Sequence, residues 1–168
     1  GMGVGLLIYL LMFLFAIVFY IVFLFPYYRM AKRQGLPHAW LAFIPVGNLW
    51  VMLNLPRREF NLFNWFKYEN RTKAFWLFLI ATGIYIVLIL PMSFIFLIPV
   101  LGWLLYFAYC VVLGVISYGF AWRMNYDIYM TYGMQDNAML LSILGMFVPI
   151  VSIVVAFMIM NREPDFNA

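Results

Sequence analysis

Charge is so sparse along this chain that its gaps mark out the elements. Residues 4–25 carry none, and about 22 residues at 1.5 Å each reach roughly 33 Å, enough to cross a hydrocarbon core of about 30 Å. A first transmembrane helix is predicted there, retained as an anchor because no basic region precedes it and it exceeds the usual signal-peptide core. The uncharged stretch 74–120 is too long for one helix and reads as a hairpin of two crossings, 74–95 and 99–122, with Pro91, Ser93 and Pro99 as breakers near its middle. Residues 36–55 are apolar but interrupted by Pro45-Val46-Gly47-Asn48 and flanked on both sides by basic clusters. A re-entrant or interfacial segment fits better there than a crossing, with its irregular backbone covered by protein. The loop 56–73 follows, and within it Phe60, Phe63 and Phe66 would share one face of a helix lying on the membrane. Residues 138–160, softened only by Pro149 and Ser152, are long enough for a fourth crossing that leaves 161–168 outside.

The pattern repeats. Tyr28-Arg29-Met30, Gly35, His38-Ala39-Trp40 and Phe43-Ile44-Pro45-Val46 return in order as Trp122-Arg123-Met124, Gly133, Asn137-Ala138-Met139 and Phe147-Val148-Pro149-Ile150. If the echo is strict, the second Pro segment also re-enters, the crossings number three, and the tail stays with the basic residues. The expected architecture is one all-α domain over 1–168, a polytopic membrane helical bundle of about four transmembrane helices plus the Pro-broken segment.

The stretch from Ala31-Lys32-Arg33-Gln34-Gly35 through Trp40 to Ile44-Pro45-Val46-Gly47-Asn48 resembles a broad group of small bacterial polytopic membrane proteins. In that group a Lys-and-Gly elbow is followed by Trp and then aliphatic-Pro-x-x-Asn. Val46-Gly47 stands where the group usually has an aromatic. The resemblance implies a bacterial inner-membrane protein of about four helices and brings no activity with it.

Composition strengthens the membrane reading: 68% of the 168 residues are hydrophobic and 10% charged, against roughly 45–50% and about 25% in soluble domains. The net charge of +4 does not point to nucleic acid, because no basic stripe is free of membrane. Arg29, Lys32, Arg33, Arg57, Arg58, Lys67, Arg71, Lys73 and Arg123 instead flank apolar runs. By the positive-inside bias they lie in the cytoplasm against anionic headgroups, with the N-terminus outside.

Chemistry is scarce. One histidine, His38, and one cysteine, Cys110, allow neither a two-His metal site nor an internal disulfide. The methionines read as apolar filler. Ser93, Ser117, Ser142 and Ser152 lack a local elbow and a base, and every carboxylate lies outside the apolar runs. No catalytic residue, metal or cofactor is assigned, and the chain is not expected to be an enzyme. Asn48, Gly47 and Asn54, with Thr82, Tyr85, Ser117 and Tyr118, could line a polar cleft. Arg123, Asn125 and Asp127 could pair with one another or contact a cytoplasmic partner. The favoured function is a non-enzymatic partner, accessory or protection protein acting through contacts in the membrane, with another membrane protein or a second copy. A small transporter or channel for a neutral or weakly polar solute, its site at the broken helices, is the alternative. A lipid-handling enzyme comes third.

Overall fold

The structure, a computed structural model, describes residues 1–167 and is 75% helical. Three helices are long and apolar enough to cross a membrane: α1 (Met2–Arg33), α3 (Arg71–Ile95) and α4 (Leu101–Thr131). Between α1 and α3 come a 3-10 turn at Ala39–Phe43, α2 (Gly47–Asn54) and two short strands, β1 (Phe60–Leu62) and β2 (Phe66–Tyr68). After α4 come α5 (Ala138–Phe147) and α6 (Pro149–Ile159).

The echo in the sequence has a structural basis. α1 and α4 are each followed by a left-handed glycine, Gly35 at φ 75° and Gly133 at φ 87°. Leu36 N–H then reaches back to the Ala31 carbonyl, and Met134 N–H to that of Tyr129, a six-residue closure that glycine permits without steric cost. The first half then runs through the 3-10 turn at Ala39–Phe43 and Pro45 into α2, and the second through a 3-10 turn at Gln135–Asn137 into α5 and, at Pro149, α6.

The segment 138–160 is not the one continuous helix that its length suggests. It breaks between α5 and α6 at Val148-Pro149, where the proline opens the new helix with no N–H to give. A Cβ on Gly145 would overlap Ser152 Oγ, so the two arms meet closely at the bend. The chain beyond α6 comes back to the base of the molecule: Arg29 donates to Asn161 Oδ1 at 2.7 Å, Arg162 to the Gly133 carbonyl at 3.1 Å, and Asp165 N–H to that of Thr131 at 2.7 Å.

Other boundaries shift for local reasons. Pro91 and Ser93 stay inside α3, and the turn to α4 falls at residues 96–100. There Leu101 N–H bonds the Pro99 carbonyl around Val100, and Gly102 is needed because a Cβ would overlap the Ile95 carbonyl. The Ile-Pro-Val sequence at 44–46 makes a related turn: Val46 and Val100 lie at φ 68° and 63°, which a β-branched residue rarely adopts. α4 runs nine residues past the predicted end because Met124, Asp127, Ile128 and Thr131 face the core. Residues 60–68 form a hairpin, not a surface helix. Phe60 and Leu62 point inward with the period of a strand, and Phe63 and Asn64, both at positive φ, make the turn.

The core lies at one end. Tyr27, Met30 and Ala31 of α1 meet Val51 and Leu53 of α2, Phe60 and Leu62 of the hairpin, Phe120, Met124 and Ile128 of α4, and Val155 and Ile159 of α6. This headpiece carries every formally charged side chain. Above it α3 and α4 pair, with the Tyr109 hydroxyl donating to the Tyr85 carbonyl, whereas α1 packs on the 39–43 turn, α2 and α6.

Candidate functional site

Three guanidinia converge on one carboxylate in the headpiece. Asp127, on the core-facing side of α4, exposes none of its side chain. Arg71 Nη1 lies 2.9 Å from Asp127 Oδ2, while Arg58 Nε and Arg123 Nε lie 3.4 and 3.2 Å from Oδ1. Arg123 reaches it along one helical turn. Arg71 opens α3, where the positive end of the helix disfavours a cation. What holds it there is its other contacts: Nε donates to the Leu53 carbonyl at the end of α2, and Nη1 also donates to the Arg58 carbonyl at 3.1 Å. It thus ties α2, the 56–59 loop, α3 and α4 together with its side chain 3% exposed. Burial pushes the Asp127 carboxyl above the ordinary carboxylate range, against the opposing pull of Arg71 and Arg123. Burial also lowers Arg71, against the pull of Asp127.

The cluster is unbalanced. Among the described residues its ion pairs all end on Asp127, so two positive charges lack a counter-charge. Arg58 Nη1, Arg71 Nη2 and Arg123 Nε are buried without a hydrogen-bond partner. Unlike Arg71, Arg58 and Arg123 keep an outward edge, at 26% and 14% exposed. Both guanidinia lie over the Tyr126 ring, 5.6 and 5.1 Å from its centre.

Of the residues singled out as a possible contact for a cytoplasmic partner, Arg123 retains surface, Asn125 is half-buried and Asp127 has none to offer. Asp127 is an interior counter-ion. Arg58 and Arg71, which read as loop anchors in the sequence, are the missing members. The available signal was Arg71 itself, a cation at a helix start where an acid is favoured.

The predicted polar cleft is dispersed. Asn54 closes α2, donating to the Trp50 carbonyl at 2.8 Å and accepting from Thr72 Oγ1 at 3.4 Å. Tyr85 lies thirteen residues further along α3, about 20 Å away, stacked on Tyr109. Asn48 and Gly47 start α2, with Gly47 close under the Leu41 carbonyl. Ser117, like Asn48, is half-buried on its helix. A separate polar cavity of about 410 Å³ lies between the ends of α1, α4 and α6, lined by Arg33, Gln34, Tyr132 and Glu163 among others. Within it the Tyr132 hydroxyl and Gln34 Oε1 are 2.9 Å apart.

No protein-family profile matches the chain, and neither curated proteins nor solved structures give a significant match.

Proposed function

We propose that this chain is a multi-pass protein of the bacterial inner membrane that acts without catalysis, by contact between its apolar helices and another membrane protein. In this reading α1, α3 and α4 cross the bilayer, and the charged headpiece sits in the cytoplasm by the positive-inside bias. The N-terminus faces out, and α5 and α6 dip in from the cytoplasmic side and return. The observation that carries it is the separation of the long helices. From Met2 to Phe19 nearly every α1 side chain faces outward, while α3 and α4 pair with each other. Two apolar arms therefore rise from one base with room for a companion helix against either.

Gentle detergent purification from the native membrane, with a photo-crosslinker at Phe13 on α1, tests this. A stoichiometric companion crosslinked at Phe13 is expected. A clean monomer with no adduct would count decisively against it. The broken helices at Val46 and Val148 favour transport of a neutral solute as a second reading, since transporter sites gather at such breaks. In proteoliposomes Asn48→Ala and Gly47→Leu should then abolish uptake without unfolding the protein, and unchanged flux removes that reading.

A further inference from the structure

Beside the arginine cluster runs an apolar groove of about 330 Å³ between α4 and α5. Val115 and Trp122 of α4 line it opposite Ile143 and Met146 of α5, with Phe63 of the hairpin turn and Gly119 completing the wall. Toward the headpiece the groove ends at Trp122. That ring stacks on Tyr126 with centres 5.5 Å apart, and the Tyr126 ring carries the guanidinia of Arg58 and Arg123. Beyond the end of the groove, stacked aromatics thus connect it to two cations that lack a counter-charge.

Guanidinia drawn out of water without an anion are costly, and a guanidinium fork matches the paired oxygens of a phosphate. A free anion would answer the charge and leave the groove open. A zwitterionic lipid would fill the groove and bring its own cation. We propose that this is a binding site for one anionic glycerophospholipid, its phosphate on Arg58 and Arg123 and an acyl chain along the groove. The site rests on the membrane placement proposed above and is independent of any protein companion. Arg71, the nearest of the three guanidinia to Asp127 at 2.9 Å, balances its charge, so the excess positive charge left on Arg58 and Arg123 is available to the lipid.

The test uses the full chain, stripped of lipid in detergent and titrated by native mass spectrometry with dioleoylphosphatidylglycerol or dioleoylphosphatidylcholine, and by thermal shift with each lipid and with inorganic phosphate. Phosphatidylglycerol should bind about tenfold tighter than phosphatidylcholine, as expected of paired charge-assisted contacts. Arg58→Gln with Arg123→Gln should erase that preference and leave the Arg71–Asp127 pair intact. Ile143→Trp keeps every arginine and fills the groove, so it should weaken the lipid several-fold. Equal binding of the two lipids overturns the proposal. So does stabilisation by inorganic phosphate equal to that by phosphatidylglycerol, or an Ile143→Trp variant that binds normally. Carbonate extraction separates the failures: a protein released from membranes takes the membrane placement down with the lipid site, whereas a retained protein without lipid preference removes the site alone.

Discussion

Replacing Asp127 by alanine would leave three guanidinia facing one another in the headpiece. Removing one member of a buried ion pair typically costs about 3–5 kcal/mol, because the other charge stays buried and unanswered. A loss of that size is expected for Asp127→Ala in thermal unfolding of the detergent-solubilised chain. The double variant Arg71→Met with Asp127→Leu should recover part of it, since apolar groups can replace that pair at little cost while Arg58 and Arg123 still lose their carboxylate. The sequence shows Arg123 and Asp127 one turn apart, and that pair is present. It does not show that Arg58 and Arg71 join them, because the contact depends on α2 and the 56–59 loop folding under α3, and no spacing along the chain encodes that approach. The dispersal of Asn48, Asn54, Tyr85 and Ser117 has a related cause: polar side chains on different helices converge only if the helices bring the same depth together.

At the scale of elements, the apolar runs were legible because hydrocarbon thickness sets a minimum length, and α3 differs by only three residues from the crossing read in the sequence. Breaks were harder to place. A proline inside an apolar run is compatible with a continuous helix at Pro26 and Pro91, a strained turn at Pro45 and Pro99, and a new helix start at Pro149. The residue after the proline and the packing of the following piece decide among these outcomes. Two substitutions probe the breaks. Val100→Gly removes a β-branched side chain from positive φ, a conformation that costs of the order of 1–3 kcal/mol, and should raise the unfolding temperature. Gly145→Leu should force α5 and α6 apart and destabilise the chain by about 1–3 kcal/mol, as overpacking does. Gly114→Leu, at a helical site with nothing within 4 Å, should be tolerated, which the same melting experiment would check. The hairpin at 60–68 was missed because Phe60, Phe63 and Phe66 fit a helical face, whereas the alternation Phe-Asn-Leu and the following Asn64 describe a strand and its turn.

For the whole molecule the topology is open to direct measurement. In a Cys110→Ala background, Glu69→Cys and Asn167→Cys should react with an impermeant maleimide from the same side of the membrane, and Leu97→Cys from the other. Labelling of Glu69→Cys and Asn167→Cys from opposite sides would restore a fourth crossing at 138–160. The confinement of every charged side chain to the headpiece also bears on how the chain enters a bilayer. With α3 and α4 crossing as proposed, the chain between them that must pass through the hydrocarbon is the apolar turn at residues 96–100. A charged residue at mid-bilayer costs roughly 2.5–3.5 kcal/mol on insertion scales, and this hairpin carries none. It can partition from the headpiece side as one unit, with no hydrophilic loop to be hauled across.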